Sequence, residues 1–184
     1  MILFVNACIR TNSRSKQIAD YLLKKIDKPY KQIDVFDIDY PIMNEKFLDY
    51  REELINNKQF DLPLFDIAHD FAQAEEIVIA TPYWDLSFPA CLKQYFEHIN
   101  IRGITFEYSE EGYPISLCKA NKLYYVTSAG GQFVPEEYGY GYIKTLAENF
   151  YGINDVRLII AKGLDIKGSD PDQIIKDCID SIKI

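Results

Sequence analysis

Two short runs constrain this chain most: Ile2-Leu3-Phe4-Val5 near its start and Ile77-Val78-Ile79-Ala80 near its middle. Each is apolar at four successive positions, without the polar alternation of a strand that has one face in water. Such strands are buried on both faces, and parallel sheets achieve this by laying helices on each side. The intervening sequence agrees. Ile18, Leu22 and Ile26 recur every four residues, the spacing of one buried helical face.

Strand-like and helix-like segments alternate along the whole length. Strands are expected at Ile2–Ala7, Lys31–Phe36, Ile77–Ala80, Leu123–Thr127 and Val156–Ala161. Helices are expected from about Ser13 to Ile26, over Glu45–Asn56, Leu64–Glu75 and Pro89–Ile99, from about Glu136 to Phe150, and over Pro171–Ile182. Residues 103–121 contain Gly103, Gly112 and Pro114 and are expected to form an excursion of hairpin type. Five strands separated by helices predict an α/β three-layer sandwich around a parallel sheet, in one domain spanning residues 1–184. In the flavodoxin-like strand order 2-1-3-4-5, the loops after strands one, three and four meet at one crevice, where such sheets bind ligands.

Composition narrows the function classes. The net charge of −8 disfavours nucleic acid as a partner, because such binders present a basic face. No apolar run approaches the roughly 20 residues of a membrane span, and the first apolar stretch reads as a strand rather than a secretory signal. Cys8, Cys91, Cys118 and Cys178 are widely spaced without a C-x-x-C pair. They read as reduced thiols of a cytoplasmic protein. His69 and His98 lie apart from each other and from the cysteines, so no metal site is expected.

Three loops carry the chemistry. The first, Arg10-Thr11-Asn12-Ser13-Arg14-Ser15, joins strand to helix without glycine, and the first glycine of the chain is Gly103. Dinucleotide folds and P-loop proteins need glycines at this turn. Here an anion would be held by the Ser13 and Ser15 hydroxyls, by Arg10 or Arg14, and by the free amides of the helix start. Ser13 serves equally as a helix N-cap. That donor set suits a single terminal phosphomonoester, as in FMN. The second loop, Pro82-Tyr83-Trp84-Asp85, puts two large aromatics at a strand end, to pack along a planar ring or to cover the core. The third, Ser128-Ala129-Gly130-Gly131, has consecutive glycines that let backbone amides approach a ligand, or simply form a tight turn.

Pro82-Tyr83-Trp84, Leu92-Lys93-Gln94-Tyr95-Phe96, Gly103-Ile104-Thr105-Phe106 with Tyr108, and Ser128-Ala129-Gly130-Gly131 together resemble the FMN-dependent NADH:azoreductase and NAD(P)H:quinone reductase family. The resemblance implies a flavodoxin-like fold and FMN held without a covalent bond at a homodimer interface. It carries the phosphate to Ser13 and Ser15, and the isoalloxazine to Pro82, Tyr83, Trp84 and Asp85. The polar edge of the ring goes to Ser128, Gly130 and Gly131, with Ala129 between them. Where many members have asparagine and phenylalanine, this chain has Asp85 and Leu86. An inward carboxylate there would disfavour a negatively charged reduced ring. The chain is also shorter than the long azoreductases between its second and third strands.

The implied activity is hydride transfer from NADH or NADPH through FMN to a small-molecule acceptor such as a quinone or azo compound. The cofactor carries that chemistry, and no catalytic side chain is assigned. Tyr138, Tyr140 and Tyr142 could line an acceptor pocket or cover the sheet. The alternative is a flavodoxin-type electron carrier without direct nicotinamide chemistry, whose acidic surface would dock a basic partner.

Overall fold

The computed structural model describes residues 1–184. Its five-stranded sheet is parallel throughout and consists of β1 (Ile2–Asn6), β2 (Tyr30–Asp34), β3 (Glu76–Pro82), β6 (Lys122–Ser128) and β7 (Asp155–Ala161). Their order is β2-β1-β3-β6-β7, the flavodoxin-like order expected from the sequence once two short hairpin strands, β4 (Phe106–Tyr108) and β5 (Pro114–Ser116), are counted in chain order. Helices α1 (Arg14–Ile26) and α6 (Pro171–Ser181) cover one face. Helices α2 (Glu45–Asn56), α3 (Asp66–Gln73), α4 (Ala90–Ile99) and α5 (Tyr140–Phe150) contribute to the core on the other. No helix is long and apolar enough to cross a membrane.

The apolar runs behave as the period of a strand demands. On β3, Ile77 and Ile79 enter the core beneath α3 and α4, while Val78 and Ala80 enter the core beneath α1. Leu123 and Tyr125 part from Tyr124 and Val126 on β6 in the same way. Every residue of β1 is fully or almost fully buried. The edge strands are different: β2 buries only Ile33, and β7 is half-buried along most of its length.

Several boundaries move from their expected places, each for a local reason. Helix α5 begins at Tyr140 rather than Glu136, because the Gly141 amide donates to the Glu136 carbonyl at 2.6 Å and holds residues 136–139 in a turn. The third helix begins at Asp66, after a single 3₁₀ turn over Pro63–Phe65, since proline fits only the first turn of a helix. Strand two runs Tyr30–Asp34, in register with β1. The β4–β5 hairpin is pinned from below. The Ser116 hydroxyl donates to the Tyr151 carbonyl, and the buried Tyr151 hydroxyl donates to Asn100 Oδ1, both at 2.6 Å.

Gly103 precedes this hairpin with φ +88°, and a Cβ there would lie 2.8 Å from the Phe60 ring. Gly103→Ala is therefore expected to destabilise the fold by about 1–3 kcal/mol. Urea denaturation checks this: a midpoint equal to wild type would show that residue 103 tolerates a side chain.

Candidate functional site

The loops after β1, β3 and β6 end at the same edge of the sheet, joined there by the loop after β7. Together they line a cleft of about 450 Å³, within the usual range of small-ligand sites. Of the residues expected from the sequence, Arg10, Ser13, Arg14, Pro82, Tyr83, Trp84, Ser128, Ala129 and Gly130 line it. Ser15, Asp85 and Gly131 do not. Cys8, Ile9, Asn12, Leu164 and Asp165 line it without having been foreseen.

One end of the cleft is formed by the start of α1. Ser13 is the N-cap, and its hydroxyl oxygen accepts weakly from the Lys16 amide at 3.4 Å. The Arg14 and Ser15 amides have no backbone partner, and no acidic residue sits in the first turn. The site thus offers unpaired donors at the positive end of a helix dipole. The Ser15 side chain is fully buried, and its hydroxyl shares a hydrogen bond with that of Ser128 at 2.7 Å. Its side chain thus ties α1 to β6 and is not part of the cleft wall. The two arginines also separate. Arg14 donates to Asp165 Oδ1 at 2.7 Å, whereas Arg10 lines the cleft without an ion pair.

At the other end, the Tyr83 amide donates to the Ser128 carbonyl at 3.1 Å. The Ala129, Gly130 and Gly131 carbonyls accept from the Leu164, Asp165 and Gly163 amides. With those carbonyls engaged, the Gly130 and Gly131 amides remain without a backbone partner. The Asp165 side chain fills the space a Cβ on Gly130 would need, so a side chain there would have to displace it. No such crowding occurs at Gly131.

Asp85 lies outside the cleft, in a two-residue turn with Leu86. Both have positive φ, 49° and 68°, and the Trp84 and Ser87 backbones exchange hydrogen bonds of 3.0 and 2.8 Å around them. This is the type I′ hairpin pattern. The Ser87 hydroxyl donates to the Tyr138 carbonyl at 2.6 Å and holds the turn to the segment before α5. None of the three tyrosines in question lines the cleft. Tyr138 is exposed, Tyr140 donates to the Val156 carbonyl at 2.9 Å, and Tyr142 packs between Phe88 and Phe96.

This set of loops can hold an elongated ligand with an anion at one end and a flat polar-edged ring at the other. A family model described as flavodoxin-like fold matches residues 1–183. The chain belongs to that family. It is similar to an FMN-dependent NADH:quinone oxidoreductase of Coprothermobacter proteolyticus, 33% identical over 190 residues that cover 97% of this chain and 94% of the relative. A protein of the same name from Lachnoclostridium phytofermentans is 33% identical over 189 residues, covering 96% and 92%. Among solved structures, an azoreductase from Bacillus anthracis superposes with a TM-score of 0.81 at 21% identity, covering 97% of this chain and 94% of that one. An FMN-dependent NADH-azoreductase from the same species, in complex with FMN, gives 0.80 at 23% identity, with 97% and 93% covered. At those identities the structural likeness bears on the fold.

Two measurements test the local chemistry. Ser128→Ala leaves the buried Ser15 hydroxyl without its partner and is expected to cost about 1–3 kcal/mol. Adding Ser15→Ala should restore part of that loss, and a strictly additive double-mutant cycle would exclude the coupling. Burial pushes the Cys8 thiol from 9.0 up to about 11. The folded state then holds its proton where the unfolded chain has released it. The corresponding stability is intact below pH 9 and is lost as pH rises toward 11, by about 2–3 kcal/mol. Urea unfolding of wild type and Cys8→Ala across that window should show the difference, and parallel curves would refute it.

Proposed function

We propose that this protein is an FMN-dependent oxidoreductase that takes electrons from NADH or NADPH and passes them to quinone or azo acceptors. Its curated relatives are named FMN-dependent NADH:quinone oxidoreductases over nearly their full length. The observation that carries the reading is the donor set of the cleft. Unpaired amides and a free arginine gather at one end, and unpaired glycine amides beside the Tyr83–Trp84 aromatics gather at the other.

The residues present fit FMN. The phosphate would be held by the Ser13 hydroxyl, the Arg14 amide and the Arg10 guanidinium. Pro82, Tyr83 and Trp84 would form the wall along the ring, and the Gly130 amide would donate to its polar edge. FMN supplies the two-electron chemistry between nicotinamide and acceptor when bound. The chain itself orients the ring and keeps Asp85 away from it. The Asp165 carboxylate is neutralised by Arg14, so it does not oppose the phosphate. The acting unit is one flavodoxin-like domain of residues 1–184.

We further infer a homodimer. Ile9, Trp84, Leu86, Phe133 and Tyr138 are all exposed and belong to loops at the cleft edge of the sheet. Clustered exposed apolar side chains of this kind mark a surface for another protein, and a second copy laid there would also close the cleft. The four free cysteines suit the reducing cytoplasm.

The test is the purified protein's visible spectrum after FMN addition, followed by steady-state oxidation of NADH or NADPH with a quinone. Flavin binding without nicotinamide oxidation would favour the electron-carrier alternative, and no flavin binding would defeat both. Arg10→Ala is expected to weaken FMN binding about tenfold or more, as loss of a charge-assisted bond does. Arg14→Ala should weaken it less, because its partner is Asp165. Fluorescence titration of FMN decides, and the reverse order would assign the phosphate to Arg14. Light scattering on the eluted protein reads the dimer.

A further inference from the structure

A second cavity of about 370 Å³ opens beside the flavin cleft and shares Ile9 and Trp84 with it. Its walls are apolar where Ile9, Trp84, Phe88 and Pro89 form them. Asp85 is the one charged residue of its lining. The other polar groups there are spoken for. The Ser87 hydroxyl is bound to the Tyr138 carbonyl, and burial raises the Cys91 thiol, which keeps it neutral.

Charge is thus divided between the two cavities. Arg10, Arg14 and Asp165 line the first, with Asp165 paired to Arg14, which leaves Arg10 as its unpaired charge, and Asp85 lines the second. The first turn of α4 also reaches the second cavity through Ala90 and Cys91. The positive end of a helix dipole amounts to about half an elementary charge, which does not balance a full carboxylate. An anionic group entering this cavity therefore meets net repulsion, whereas a neutral aromatic ring meets apolar walls.

The position of Asp85 is imposed by the backbone. It and Leu86 are held at positive φ although neither is glycine. Non-glycine residues in that region carry strain, and such strain gathers at functional sites.

We propose that the second cavity receives the ring of the electron acceptor, and that Asp85 selects there for neutral or cationic acceptors against anionic ones. The proposal rests on the oxidoreductase reading but concerns a different cavity from the one that takes FMN.

Trp84 is the single tryptophan of the chain and lines both cavities, so binding can be read without turnover. Quenching of its emission by 1,4-naphthoquinone and by 1,2-naphthoquinone-4-sulfonate is measured on wild type and Asp85→Asn, with and without FMN. Wild type should bind the neutral quinone more tightly. In Asp85→Asn the ratio of the two dissociation constants should fall about tenfold, the size of one partly screened like-charge contact. In wild type the preference should shrink as salt is raised. An unchanged ratio in the variant, a wild-type preference for the sulfonate, or no quenching by either quinone would overturn the proposal. Failure of the parent reading looks different: the binding ratio behaves as expected, yet FMN-loaded protein oxidises no nicotinamide with either quinone.

Discussion

Ser128 holds the site together. It ends β6, in the sheet between β3 and β7, and three groups meet on it. Its hydroxyl bonds Ser15 of α1, its carbonyl accepts from Tyr83 after β3, and its backbone continues into the glycines that the loop after β7 secures. Each contact is a single hydrogen bond worth about 1 kcal/mol net. Their value lies in geometry. Four loops from different parts of the chain are fixed to one another before any ligand arrives, and a preorganised site does not spend binding energy on ordering its own loops.

The same bonding decides which backbone groups remain free. Parallel strands end with amides and carbonyls that must find partners. Here the carbonyls of residues 128–131 are taken by neighbouring amides, so the groups left over are N–H donors. At the start of α1 the helix itself leaves donors unpaired. The cleft is consequently rich in donors at both ends, although the protein as a whole carries a charge of −8. A donor-rich cleft in an acidic protein follows from local backbone geometry and the unpaired Arg10 rather than from overall charge.

Much of this was legible in the sequence. Apolar runs without alternation gave a parallel sheet, and the three unusual loops fell at adjacent strand ends as the expected order required. Illegible were the contacts made across long separations. Asp165 reaches Arg14 across 151 residues and packs over Gly130, and nothing near residue 165 signals that approach. Ser15 looked like a phosphate ligand because S-x-S spacing specifies a helix start. Which way its hydroxyl turns depends on Ser128, 113 positions away. Cys8 reads from the sequence only as a reduced thiol and Ile9 carries no signal, yet the chain leaves β1 at Asn6 and both become cleft wall.

Asp85 shows how a local rule can be broken to a purpose. A type I′ turn favours Asn-Gly, and Asp-Leu is a poor sequence for it. Leu86 at φ 68° persists only because its surroundings over-determine it, through the Trp84–Ser87 backbone pair and the Ser87–Tyr138 bond. Asp85 lies outside the cleft that Arg10 and Arg14 line, and lines the second cavity instead. The strained turn thus holds Asp85 in the lining of the second cavity, which shares Trp84 with the cleft lined by Arg10, Arg14 and Asp165.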